Sequence, residues 1–572
     1  MNRPTDIAAP PPLPPDLMKL LYDGYQFQLR EQFEDAARCY RKILKRAPDN
    51  ADVLNLLGMV RARQNRFDDA IDLYRSALAR KPGDAKAWFN LGLAYSALER
   101  HPEGAEAMAQ AHALDAGLHE AVGMLLSLRR AICDWRDHDL LMESVAASGD
   151  PARPPVSPFF TLWLDDPEVQ RAAAQRAVEK KGLAQVSPTR HDPAARRPGP
   201  IRVGYVSADF RDHPTTHLMS RLVEIHDRSR FEITAFSLGP EVDSPYRRRI
   251  VEGADRFVSC PRDAPAVLAA KIRDCGIDIL VDVMGHTTGN RMEAFAFRPA
   301  PVQVSYLAYP GTTGAGFMDY VIADPVVVPF SNAPFFTESI VHLPDAYQPN
   351  DPTLAPAPRP TRTECGLPED GFVFSMFNNV NKLEPETFSL FMRLLRAVPG
   401  SVLWVLARHT QAQDNLRREA EARGVDGARI LFAPPVPLEQ HLARLPLADL
   451  FLDTFPYTAH TTASDALRMG LPLITRRGRT FASRVAASLL HQVGLGECVA
   501  ATPEEFEALA LGLAGDAALL AAIRDRLGES LSSPLFDIAR YTRHLESAYE
   551  RMMERWLSGT APAPFAVPIL EG

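Results

Sequence analysis

Cysteine is scarce and unpaired in this sequence: six residues in 572, at positions 39, 133, 260, 275, 365 and 498, with no Cys-x-x-Cys pair and no metal-ligand spacing. That excludes a disulfide scaffold or a zinc ribbon and suits reduced thiols in a cytoplasmic protein. No run of about 18 uncharged apolar residues occurs, so no membrane span is expected. The first residues, rich in Pro and Ala, lack the apolar core of a signal peptide. Basic excess is missing as well: the net charge of −8 offers no field to nucleic acid or to an anionic membrane. The conspicuous Asp-x-Asp pattern, Asp137-His138-Asp139, lies in a helical stretch away from any strand end and reads as solvated surface, so no metal site is expected. What is present, 46% hydrophobic and 23% charged residues, is the composition of a soluble globular chain. Its length implies three or more domains at ~100–200 residues each.

Residues 1–16 are Pro-rich and read as a disordered lead-in. From Leu17 a period of 34 residues appears, marked by Gly24, Gly58 and Gly92, by Ala36, Ala70 and Gly104, and by Tyr40, Tyr74 and Met108. Small residues at the first two marks let paired helices approach, and the large residue fills the gap between them. Pro48 and Pro82 end the second helix of a unit. The pattern resembles the tetratricopeptide repeat, with units from 17, 51 and 85 and a degenerate one from 119, over residues 17–150. Such an array either recruits a protein or peptide partner or serves as a platform.

Residues 151–200 read as a helical, Pro-rich junction. Strand and helix signals then alternate over 201–355 and again over 356–558, before a Pro/Ala tail at 559–572, which predicts two parallel, doubly wound sheets. The loop Ser207–Leu218 puts Asp209, His213 and Thr215 at a strand's carboxyl end, where a histidine can exchange protons with a ligand or simply cap a helix. His217 falls within the helix and reads as packing. The loop Leu307–Gly314 is rich in small residues and allows close backbone approach. In the second half, Lys382 follows a strand, placed to neutralise phosphate or to be solvated. The stretch Asp453–Asp465 reads strand, loop, helix start: Thr461 and Thr462 lie where free amides meet anions, His460 adds a donor, and Asp465 can accept hydroxyl hydrogen bonds. Arg484 either faces the same cleft or pairs within its domain.

Together, Gly204–Phe210, His213-Pro-Thr-Thr, Arg298–Gln303, Tyr309–Gly314, Phe377-Asn with Lys382, His460-Thr-Thr and Ser483–Ser488 resemble the protein O-linked N-acetylglucosamine transferase family, in its bacterial form. The resemblance implies an α superhelix of repeats followed by two Rossmann-like α/β domains facing across a cleft, the GT-B arrangement. It implies metal-independent, inverting transfer of N-acetylglucosamine from UDP-GlcNAc to Ser or Thr hydroxyls of a protein acceptor held by the repeats. By motif position Lys382, Thr461 and Thr462 would contact the diphosphate, with Asn379 and His460 beside it and Asp465 near sugar or ribose hydroxyls. Val436 and His441 would hold the nucleoside; Leu307, Ala308, Pro310 and Thr215 would line the sugar pocket; His213 or Asp209 would be the base. Leu438 stands where animal members carry a lysine. A related transferase using another donor such as GDP-fucose, or a repeat scaffold with a weakly active transferase half, are the alternative readings.

Overall fold

Gly24, Gly58 and Gly92 sit where helices touch: a Cβ at each would meet Tyr40 at 2.7 Å, Tyr74 at 2.5 Å and Met108 at 2.8 Å. The period of 34 is therefore a packing period, in which a missing side chain on one helix seats a large one from the next. The chain was described from a computed structural model covering residues 13–153 and 155–570, in which one unit ends at Ser144 and a second begins at Val145. In the first, helices Pro15–Leu29 and Phe33–Arg46, Ala51–Arg63 and Phe67–Arg80, and Ala85–Ala97 and His101–Leu114 form three hairpins. His119–Ala131 follows, without the marker residues.

Two sequence expectations are corrected here. Residues 1–12 lie outside the described residues, but the helix opens at Pro15, and Asp16 in its first turn pairs with Arg46, so the end of the supposed lead-in is structured. In the Asp-x-Asp pattern, Asp137 is exposed and pairs with Arg129 at 3.1 Å, whereas His138 is buried and opens the helix His138–Ala146. Only the acidic residues are solvated, because the helix start turns the ring inward.

The second unit carries fourteen strands among the described residues: β1 Ile201–Ser207, β2 Phe231–Ser237, β3 Arg256–Ser259, β4 Ile279–Asp282, β5 Val302–Ser305, β6 Tyr320–Ala323, β7 Ser339–His342, β8 Val373–Met376, β9 Val402–Val405, β10 Ile430–Phe432, β11 Leu450–Leu452, β12 Leu473–Arg476, β13 Val499–Ala500 and β14 Phe565–Ala566. They form two all-parallel sheets, ordered β14-β7-β6-β5-β4-β1-β2-β3 and β10-β9-β8-β11-β12-β13. The central strands β4, β5, β6, β8 and β9 are buried at every residue, as strands covered by helices on both faces must be. The order reverses between β1 and β4 in the first sheet and between β8 and β11 in the second. Those are the crevices where such sheets take ligands.

The stretch after Gly559 is more than a tail: Phe565–Ala566 pairs with β7 at the edge of the first sheet. The preceding helix, Ile538–Leu557, also belongs against that sheet. Tyr549 and Tyr541 meet Tyr205 and Tyr306 by hydroxyl contacts of 3.1 and 2.5 Å, and Glu546 accepts from His226 Nδ1 at 2.9 Å. The junction helix Pro167–Lys180 likewise joins the first core, with Val178 and Leu183 in one buried cluster with Leu280 and Phe295. Apolar faces long enough to need burial, on segments distant in sequence, end up on one sheet. Among the described residues no single helix is long and apolar enough to cross a membrane.

Candidate functional site

The crest of the second sheet is organised by a carboxylate. Asp453, directly after β11, is 2% exposed, and its Oδ1 accepts from the Thr454 and Ala459 amides at 2.7 Å and from Asn378 Nδ2 at 2.8 Å. Its Oδ2 accepts from Thr475 Oγ1, on β12, at 2.6 Å. Burial raises its pKa, but every contact is a donor, so the ionised form is the one the site is built for. These bonds close the loop 453–459 over the strand end and aim the chain into the helix Thr461–Arg468.

Asn378, after β8, completes the crossing: its Oδ1 accepts from Thr462 Oγ1 at 2.5 Å. Ala463 and Ser464 return their amides to the His460 carbonyl at 3.0 and 3.2 Å, while the amides of Thr461 and Thr462 precede that first closed turn. Lys382 comes to the same spot. Its Nζ donates to the Thr458 carbonyl at 2.9 Å and lies 3.8 Å from the centroid of the Tyr457 ring. Burial pushes the ammonium down to about 8, opposed by the charge of Asp453. His460 packs on Tyr457 at 5.1 Å with Nε2 3.3 Å from the Ala482 carbonyl; burial, then the Lys382 charge, hold it well below its ordinary range and neutral. Asp465, one turn in, is pushed up to about 7 by burial, with Arg468 opposing. A lysine and two first-turn amides thus gather at one strand end as donors that suit an anion, beside a neutral histidine whose proton, on Nε2, faces the Ala482 carbonyl.

The other expected residues of this half fall nearby or turn away. Asn379 is exposed and caps its own short turn by accepting from the Asn381 amide. His441, on the helix Leu438–Arg444, has its Nδ1 3.0 Å from Arg444 and packs edge-on to Phe377. Burial and Arg444 lower its pKa to about 4. Val436 lines a cavity beside that helix. Arg484 does not pair within its own half alone: its Nε donates to the Val326 carbonyl of the first half at 2.7 Å and its guanidinium to that of Gly478 at 3.0 Å. With Ser488 donating to Asp324 and Gln348 to Ser464, it ties the two sheets together.

At the crest of the first sheet, His213 is the N-cap of the helix Pro214–Ile225, and its Nδ1 accepts from the Thr215 amide at 3.3 Å. Asp209 Oδ2 lies 3.6 Å from the same nitrogen, and its other oxygen accepts from Arg211 at 3.3 Å. Burial lowers the His213 pKa, with Asp209 opposing. A neutral ring that accepts from the Thr215 amide carries its proton on Nε2. His217 binds Asp212 at 2.7 Å and packs on Tyr246, in keeping with a packing role. The charge of Glu439, on the helix Leu438–Arg444, acts on both His217 and Tyr246.

Leu307 follows β5 with a φ of 75°, a left-handed conformation a branched residue adopts only when its surroundings impose it. Ala308 and Pro310 continue this loop, and Pro310 is buried. Its glycines and threonines serve the fold more than a ligand. Thr312 Oγ1 and the Thr313 amide bind Glu338 at 2.6 and 2.7 Å, and Gly314, at φ +68, admits the backbone of Ala174. Sequence reasoning quoted Asn378 and Asp453 within its motifs and gave neither a role. Their signals were a carboxylate closing an apolar strand and an Asn doublet whose first member turns inward.

The glycosyl transferase family 41 model matches residues 132–353 and 357–545. The chain belongs to glycosyl transferase family 41. Tetratricopeptide repeat models match residues 28–85 and 60–118. Among family members, the chain is 34% identical over 466 residues to the probable UDP-N-acetylglucosamine--peptide N-acetylglucosaminyltransferase SEC of Arabidopsis thaliana, covering 77% of this chain and 48% of that one. It is 30% identical over 473 residues to the UDP-N-acetylglucosamine--peptide N-acetylglucosaminyltransferase of Caenorhabditis elegans, covering 63% and 41%. The chain thus spans about half the length, or less, of these curated relatives. A solved lysine-to-methionine mutant of the Thermobaculum terrenum O-GlcNAc transferase superposes with a TM-score of 0.71 and 31% identity, covering 95% of this chain and 98% of that one. The family 41 match covers the paired sheets, and the tetratricopeptide match covers the array ahead of them.

Proposed function

We propose that the chain transfers N-acetylglucosamine from UDP-GlcNAc to the hydroxyl of a Ser or Thr in a protein acceptor recruited by its repeats, with inversion at the anomeric carbon. One observation carries the reading: Lys382, the first-turn amides of the Thr461 helix and neutral His460 converge where the second sheet reverses its order. In the reaction the acceptor oxygen bonds to the anomeric carbon as the bond to the UDP oxygen breaks. The difficulty is electrostatic: a further negative charge builds on a departing diphosphate that already carries two. A preoriented ammonium and amides stabilise that charge without reorganising.

The remaining assignments rest on the motif resemblance. Val436 and His441 hold the nucleoside, Asn379 reaches the phosphates and Asp465 the hydroxyls of ribose or sugar. Leu307, Ala308, Pro310 and Thr215 bound the sugar. His213, with its Nδ1 engaged by Thr215, presents an Nε2 proton and so orients the reacting oxygens as a donor. Asp209 then stands as the nearer acceptor for the proton released. The family names of the relatives favour a UDP-GlcNAc donor over the alternative of GDP-fucose. The test is turnover with each nucleotide sugar and a mixed Ser/Thr peptide library, followed by mass spectrometry. Addition of one N-acetylhexosamine from UDP-GlcNAc is expected; addition of deoxyhexose from GDP-fucose, or of nothing from either, would overturn the reading.

A further inference from the structure

Asp165 lies in the junction, between the helices Pro158–Thr161 and Pro167–Lys180, yet its carboxylate reaches partners 314 to 318 residues further along the chain. Its Oδ1 accepts from the amides of Arg479 and Thr480 at 2.7 and 3.0 Å and from Ser483 Oγ at 2.8 Å. One carboxylate that collects three donors is a strong local anchor. Gly478 leaves room for it: a Cβ there would stand 2.5 and 2.6 Å from the two carboxylate oxygens.

The loop held in this way, 478–483, ends against the proposed anion site. Ala482 is fully buried, and its carbonyl accepts from the amide and hydroxyl of Thr458 at 3.1 and 2.7 Å and meets His460 Nε2 at 3.3 Å. The Thr458 carbonyl in turn accepts from Lys382 Nζ at 2.9 Å. Packing runs the same way. Phe159 and Leu162 of the junction share one apolar cluster with Ala482, Tyr309 and Tyr457, the ring beside the Lys382 ammonium. A loop carbonyl is only as well placed as the anchors of its loop, and small displacements at a reacting centre are costly in rate.

We propose that Asp165 is a positioning residue for the transfer described above: it sets the loop 478–483 and, through the Ala482 carbonyl, fixes Thr458, His460 and Lys382 against the departing diphosphate. The inference rests on that reading of the site. The junction then holds the scaffold of the phosphate donors while supplying none of them itself. Glu168 also meets the loop, pairing with Arg479 at 3.0 Å, but both side chains are exposed and such a pair adds little.

The test is UDP binding to the full chain from about pH 6 to 10, with thermal melts alongside. Asp165→Ala should weaken UDP about tenfold at pH 7, the factor one charge-assisted contact supplies. The loss of affinity that sets in above about pH 8 in the wild type should move up by about one pH unit, because an ammonium released from its buried seat titrates nearer its ordinary value. Asp453, His460 and Tyr457 face Lys382 in wild type and variant alike, so the movement reports the loop. Gly478→Ala, which pushes the carboxylate out from the other side, should do the same even if the first variant folds poorly. Asp165→Asn keeps an accepting oxygen and should recover most of the loss, and Glu168→Gln should stay within about twofold of wild type. A lowered melting temperature with an unmoved alkaline limb, indifference to both Asp165→Ala and Gly478→Ala, or an Asn variant no better than Ala would overturn the proposal. A wild-type chain that binds no UDP would overturn the proposed function and this inference together; a wild type that binds UDP and is matched by Asp165→Ala would overturn the inference alone.

Discussion

Thr462 Oγ1 donates to Asn378 Oδ1 at 2.5 Å, a bond that joins the helix after β11 to the end of β8, the two strands between which the sheet order reverses. The same Asn378 amide supplies donors to Asp453 and Thr454 at 2.8 Å. Asn378→Ala would leave an ionised, buried Asp453 short of one donor and Thr462 without its acceptor. We expect a loss of roughly 2–3 kcal/mol in denaturant unfolding of the second unit, the cost of stranding such groups. UDP affinity should fall with it, since the helix end is no longer pinned. An unchanged midpoint and affinity would show that Asn378 is incidental.

Lys382 makes a pH prediction with a definite sign. Its ammonium, lowered to about 8, is charged below that pH and neutral above it in the free protein. UDP affinity should hold from pH 6 to 8 and fall as pH rises further, and binding above pH 8 should take up a proton, visible as a buffer-dependent heat. Lys382→Met should weaken UDP by about 10–100-fold, the value of a charge-assisted contact, and flatten this alkaline limb. A limb that persists in the variant would assign it elsewhere.

For His213 the size of the effect separates two roles. A general base contributes about 10²–10⁴ in rate, while a lost orienting hydrogen bond costs about tenfold. With Nδ1 occupied by the Thr215 amide, we expect His213→Ala to lower turnover roughly tenfold with UDP affinity unchanged. The lowered pKa keeps the ring neutral as pH falls to its ordinary value, so any dependence on it should set in only below that range. A loss of several thousandfold would make His213 the base. Asp209→Asn should then have been the milder variant, not the harsher one expected here.

The repeats can be tested apart from chemistry. Gly58→Ala forces a Cβ to 2.5 Å from the Tyr74 ring, while Gly83→Ala meets nothing within 4 Å. We expect the first to cost about 1–3 kcal/mol, the usual penalty of overpacking, and the second to lie within about 0.5 kcal/mol of zero. Thermal melts followed in the repeat unit distinguish them. Equal midpoints would deny the packing role of the period.

Some of this was legible along the chain. The spacing of Gly24, Gly58 and Gly92 carried the repeats because each unit repeats one local contact, glycine against Tyr or Met sixteen residues on. The strand-loop-helix order at Asp453–Asp465 carried the helix start at Thr461, since a helix start announces its free amides locally. Lys382 was visible as a charge after a strand. By contrast, Thr312, Thr313 and Gly314 looked like ligand-loop residues until Glu338 and Ala174 were found against them.

The sequence by itself determined what is periodic or local: three helical hairpins, parallel strands with apolar cores, and a Thr-Thr helix start. Only the tertiary structure decided which strand ends meet. Strand order put Asn378 and Lys382 beside Thr462 and Thr458, more than seventy residues away, and returned residues 565–566 to the edge of the first sheet. The physical reason is that a buried polar group specifies its partner by geometry alone. Asp453 announced only that it needed donors; the fold chose Asn378, Thr475 and the Ala459 amide to supply them.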